Sequence, residues 1–94
     1  MASSASAGKK RVKLQLKTES GKQVYVAGTF NNWDGMEKKM AEKGKTGVYS
    51  VSLSLPKGRY EYKFVIDGAW CVDPECPEWV PNNFGSLNSV LVVE

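Results

Sequence analysis

"VYSVSLSLPKGRYEYKFVIDGAW", residues 48–70, decides the fold. In its first part Tyr49, Val51, Leu53 and Leu55 alternate with Ser50, Ser52 and Ser54. That period of two puts the apolar side chains on one face of a strand and the hydroxyls on the other. A turn follows at Pro56 to Gly58. Tyr60, Tyr62, Phe64 and Ile66 then alternate with Glu61, Lys63 and Val65, so a second strand also has a core face and a solvated face. Asp67-Gly68 suits the primed turns that match strand twist, and predicts a hairpin into a short strand at Ala69 to Val72.

The same pattern recurs on both sides. "RVKLQLK" (11–17) alternates Val12, Leu14 and Leu16 with Lys13, Gln15 and Lys17, and "ESG" (19–21) turns the chain. "QVYVAGTF" (23–30) is a further strand, ending in "NNWDG" (31–35), whose Asn, Asp and Gly favour a turn. Residues 36–47 show no strand pattern and read as a loop, with two glycines and six charged residues. "DPECPEWVPNNFGSLN" (73–88) reads as a long proline-rich loop before the last strand, "SVLVVE" (89–94). Six or seven short strands separated by turns, without helical periodicity or internal repeat, imply an all-β sandwich.

The 94 residues suffice for one modest core. No apolar run approaches the roughly 20 residues of a membrane-spanning helix. The net charge of +3 is too mild for the dense basic stripe of a nucleic-acid binder, and four of the cations, Lys9, Lys10, Arg11 and Lys13, lie near the N-terminus. Residues 1–10 read as a flexible leader without the apolar segment of a secretory signal, and residues 11–94 as the folded domain. A cytoplasmic or other intracellular location is therefore expected, which favours free thiols at Cys71 and Cys76 over the alternative of a local disulfide between them.

There is no histidine, which removes the commonest general base and a common metal ligand. Two cysteines without histidine do not make a zinc site, so no metal or cofactor is expected. Asp67, Asp73 and Glu75 are candidates for a carboxylate pair, but the turn at Asp67 and the proline after Asp73 explain two of them structurally.

What stands out is aromatic rings and amides in loops: Trp33, Trp70, Trp79 and Phe84 beside Asn31, Asn32, Asn82, Asn83 and Asn88. Ring faces match the C–H patches of sugars, while amides and ammonium groups match their hydroxyls. Each has a structural alternative. Trp33 could cap the core, Trp70 could belong to it, and Trp79 could pack its loop onto the sheet. Lys63 could be a solvated strand lysine, though alternation sets it on the exposed face within reach of Trp70.

Together, "VYVAGTFNNWD", "LPKGRYEYKFVIDGAW", "DP" and "FGSLNSVLVV", in that order, resemble the family 48 carbohydrate-binding module. This is the glycogen-binding domain of the AMP-activated protein kinase β subunit, related to N-terminal domains of branching and debranching enzymes. The resemblance runs from Arg11 to Glu94. It implies an immunoglobulin-like (early-set) β-sandwich that binds α-1,4-linked glucan without catalysis. It further implies that Trp33 and Trp70 stack on glucose rings, Lys63 bonds hydroxyls beside them, and Asn88 supplies an amide. Ser86 stands where the family often has Thr, and Phe84 where a leucine protrudes. The loop over residues 36–47 is longer than in the kinase subunit, and Thr46 is its only hydroxyl residue. Implied partners are an α-glucan and a kinase complex or glucan-active enzyme. The competing reading is a protein-docking sandwich with a vestigial sugar site.

Overall fold

The structure, a computed structural model, describes residues 9–76, 78–82 and 85–94. Nine strands are described: β1 (Lys9–Lys17), β2 (Val24–Gly28), β3 (Lys38–Lys39), β4 (Ala41–Glu42), β5 (Val48–Pro56), β6 (Gly58–Ile66), β7 (Ala69–Cys71), β8 (Trp79–Pro81) and β9 (Leu87–Val93). They form two sheets, β1-β5-β4 and β3-β2-β6-β9-β8, with β7 also paired to β6. Every pairing is antiparallel.

The alternation read in the sequence builds the core. Leu14 and Leu16 of β1 and Tyr49, Leu53 and Leu55 of β5 meet Val24 and Val26 of β2, Tyr62 and Phe64 of β6, and Val93 of β9. Tyr62 and Phe64 pack edge to face, their centroids 5.7 Å apart. The molecule is an all-β sandwich, consistent with the immunoglobulin-like architecture.

Three expectations change. The segment 36–47 is not wholly loop. Met40, 2% exposed, enters the core between β3 and β4, and its amide donates to the Val24 carbonyl at 2.8 Å. A single apolar anchor lets this charged stretch cross from one sheet to the other, a signal that periodicity does not detect. The proline-rich loop contains β8, paired with β9 through Trp79↔Ser89 and Pro81↔Leu87. Val65 shares its face with Glu61 and Lys63 yet is only 5% exposed. Cross-strand pairing sets Trp70 opposite Val65, and Gly35 approaches both, so that end of the outer face is covered.

β6 is the central strand. β2 lies along one side, while on the other β9 pairs with Gly58–Tyr62 and β7 with Phe64–Ile66. Lys63 falls where those two neighbours part. The Asp67-Gly68 turn has the expected primed form, with φ values of 49° and 87°. Asp67 also receives the Gln23 amide at 2.9 Å and pairs with Lys22 at 3.4 Å, tying the β1–β2 connection to the hairpin.

Candidate functional site

The segment "GTFNNWDG" separates two aromatic rings. Phe30 turns inward to the core, 6.4 Å from the ring of Tyr60, and Trp33 is left half-buried beside the outer face of the larger sheet. Asn32 and Trp33 both have left-handed backbone, at φ 57° and 60°. Such a conformation costs about 1–2 kcal/mol for a residue with a Cβ. Its persistence at a bulky tryptophan points to a held geometry. Asn31 does the holding: its Oδ1 accepts the Gly28 amide at 3.0 Å and its Nδ2 donates to the Asp34 carbonyl at 3.2 Å. The Trp33 amide itself donates to Gly28 O at 2.9 Å. Gly28 must lack a Cβ, which would run into the Glu61 carbonyl and the Phe30 ring.

Trp70, 47% exposed, lies on the same outer face through its pairing with Val65. A Cβ on Gly35 would come within 2.9 Å of the Trp70 ring, so this glycine lets the turn carrying Trp33 seat directly against the Trp70 indole. The ring is supported on one side and open on the other.

Between and beyond the indoles a chain of hydrogen bonds runs along the outer face. Arg59 donates to Glu61 at 3.1 Å, and the other Glu61 oxygen accepts Asn88 Nδ2 at 3.0 Å. Asn88 Oδ1 accepts from Asn82 Nδ2 at 3.0 Å, Asn82 Oδ1 accepts the Ser86 amide at 3.0 Å, and Lys63 Nζ donates to Ser86 Oγ at 3.0 Å. Each bond fixes the orientation of the next polar group. The face thus presents donors and acceptors in set directions beside two flat apolar surfaces.

These side chains enclose an open cavity of about 560 Å³. Trp33, Lys63, Trp70, Ser86 and Asn88, five of the six residues expected from the sequence, all line it. Phe84 lies outside the described residues. Glu61 and Thr29 also line the cavity and are not among the residues expected there, and Asn82, one of the loop amides that stand out in the sequence, joins them. Glu61 was legible, since it stands two residues before Lys63 and strand alternation puts both on one face. Thr29 accepts the Glu61 amide through its hydroxyl, a contact between strands distant in sequence.

Trp79 is not part of this surface. Its indole N–H donates to the Asp73 carbonyl at 3.1 Å, as suits a residue that packs its loop. Asp73 is buried: its carboxylate accepts the Tyr62 hydroxyl at 2.7 Å and its amide donates to Ser89 Oγ at 2.8 Å. Burial, reinforced by that carboxylate, pushes the Tyr62 phenol well above its usual range, so it remains a neutral donor. Cys71 and Cys76 are free thiols, the second buried near the Glu78 and Val90 carbonyls. Among the described residues no group of His, Cys, Asp and Glu could hold a metal ion, and no helix is long and apolar enough to cross a membrane.

Comparison with known proteins identifies the family. Residues 11–94 match the family described as the glycogen recognition site of AMP-activated protein kinase. The chain is 35% identical over 77 residues to the 5'-AMP-activated protein kinase subunit beta-1 of Sus scrofa, covering 82% of this chain and 59% of that sequence. It is 39% identical over 74 residues to the chloroplastic Protein PTST homolog 2 of Arabidopsis thaliana, covering 79% of this chain and 13% of that one. The chain therefore spans less than two thirds of either relative. A maltogenic amylase from S. marinus shares the fold with a TM-score of 0.66 and 23% identity, over 93% of this chain and 14% of the amylase. With the motifs, the sandwich and the family match in agreement, the chain belongs to the glycogen-recognition family of AMP-activated protein kinase, a family of non-catalytic carbohydrate-binding modules.

Proposed function

We propose that the cavity on the outer face of the larger sheet is the α-1,4-glucan site, with Trp33 and Trp70 stacking on glucose rings. Lys63, Asn88 and Ser86 bond the hydroxyls at the ring edges. The observation that carries this reading is the half-exposed Trp70 indole, backed by Gly35 and set in one cavity with Trp33 and a pre-bonded row of polar groups. An indole already held in place loses little entropy on binding. An open groove of this kind predicts micromolar to millimolar affinity, about −4 to −8 kcal/mol.

The domain itself acts as a binding module and not as an enzyme. Among the described residues Glu61 is the single carboxylate lining the cavity, and it is engaged by Arg59 and Asn88. Glycoside hydrolysis ordinarily needs two carboxylates across the scissile bond. The kinase relatives suggest a larger kinase assembly as the setting, and the amylase neighbour's fold is also compatible with attachment to a glucan-active enzyme. An intracellular, reducing location suits the two free thiols.

Tryptophan fluorescence titrated with maltoheptaose, with cellohexaose as control, tests the reading. Saturable quenching by maltoheptaose that is absent in a folded Trp70→Ala protein supports it. No response to millimolar maltoheptaose from the intact fold rejects it in favour of a protein-docking sandwich.

A further inference from the structure

The other sheet has an outer face of a different kind. Along β1, Lys9, Arg11, Lys13, Gln15 and Lys17 point away from the core, and their cross-strand neighbours on β5 are Pro56, Ser54, Ser52, Ser50 and Val48. Alternate residues in a strand are about 6.8 Å apart, so the four cations lie along a row about 27 Å long, at successive outward positions except where Gln15 interrupts them. No carboxylate of a described residue pairs with any of them; the described ion pairs involve Lys22 and Arg59. β1 is also the end of its sheet. β5 is its one partner among the described strands, so every second residue leaves backbone N–H and C=O groups directed outward.

We propose that β1 is a docking edge for an extended acidic segment of another protein, which adds to the sheet as a neighbouring strand and sets Asp or Glu side chains beside Lys9, Arg11, Lys13 and Lys17. Strand addition satisfies the outward backbone groups, while cross-strand charge pairing selects the partner. A strand carrying an acid at every second position matches the interval of Lys9, Arg11 and Lys13 and reaches Lys17 two acidic positions further on, with the amide of Gln15 between. Lysines on an edge ordinarily protect it from self-association, and here they still do, because a second copy would bring like charges together. That protection is selective: it excludes basic and neutral edges and admits an acidic one. The described part of this face carries no aromatic side chain, which disfavours single-stranded nucleic acid, a ligand that usually needs rings for stacking. It also lacks the large apolar side chains that anchor a protein in a bilayer. The docking edge and the cavity belong to opposite sheets, so both can be occupied together.

The test uses a synthetic peptide as long as β1 with Glu alternating with Thr and Val, and an isomer of the same composition with its Glu residues consecutive. Amide hydrogen exchange and NMR shifts of the chain are followed with each, alongside anionic phosphatidylserine vesicles and heparin. The expected result is slowed exchange of alternate amides in β1 with the alternating peptide, weakened by added salt. Affinity should fall about tenfold or more in Lys13→Glu/Lys17→Glu. Unchanged maltoheptaose binding by that variant shows that it is folded. The proposal is overturned if β1 amides gain no protection, if the isomer binds equally well, if the variant binds the alternating peptide undiminished, or if vesicles or heparin bind and the peptide does not.

Discussion

The outer face of the six-stranded sheet presents Trp70, Lys63, Glu61 and Asn88, whereas that of the three-stranded sheet presents Lys9, Arg11, Lys13 and Lys17. Both arise from period-two alternation, but their side chains are held differently. On the first, Gly35 backs the Trp70 ring, and the polar groups are bonded to one another from Arg59 to Lys63. On the second, the cations stand free of described ion pairs. A neutral sugar offers only shape and hydroxyls, so its site must be ordered beforehand. A charged partner can be attracted by independent, solvated charges, with a strong dependence on salt.

The largest expected effect separates the two faces. Trp70→Ala should cost about 2 kcal/mol or more of maltoheptaose affinity, the loss typical of a buried aromatic contact. Lys13→Glu/Lys17→Glu should leave it unchanged. Isothermal titration of both variants checks this, and a loss in the charge-reversal protein would erase the distinction. Tyr62→Phe should lower unfolding stability by about 1–3 kcal/mol, because the buried Asp73 carboxylate loses a donor. Its glucan affinity should stay near the parent value, since Tyr62 faces the core; urea denaturation and titration together test the separation. Glu61→Ala removes the acceptor that orients Asn88 and should weaken glucan binding by about 1 kcal/mol, with Glu61→Gln recovering most of it. If Glu61→Ala binds as well as the parent, the hydrogen-bond chain does not prepare the site.

The smallest effect concerns pH. The Ser20 hydroxyl, with the amides of Gly47 and Gly21, holds the Glu42 carboxyl below its ordinary value. The Gln23 amide, and then Lys22, do the same for Asp67. A carboxyl depressed in the folded state contributes stability above its unfolded pKa and loses it as pH falls through the folded one. Melting temperature should therefore begin to fall near about pH 4 and continue below it. Glu42→Gln and Asp67→Asn should each flatten that decline. A profile unchanged by either substitution would show that neither carboxylate is responsible.

Much of this is legible in the sequence. Strands β1, β2, β5 and β6 follow from alternation, β9 from its apolar run after the proline-rich loop, and the 67–68 hairpin from its turn residues. Lys63 could be put on the outer face because Tyr62 and Phe64 needed the core. The short strands β3, β4 and β8 were not legible, since two or three residues carry no period, and only pairing with β2, β5 and β9 makes them strands. Val65 was misread because its cover comes from Gly35 and Trp70, on other segments.

The sequence by itself determined the strand faces, the turn chemistry and the family, because these depend on residue type and on neighbours a few positions away. The tertiary structure alone decided which tryptophans share a surface. Trp33 and Trp70 meet in one cavity because the turn after β2 seats against β7, while Trp79 is drawn aside by the Asp73 carbonyl. It alone also linked Glu61, Asn88 and Asn82, which are brought together by β6, β8 and β9 lying side by side. Contacts between segments far apart in the chain leave no local pattern, and the site consists of such contacts.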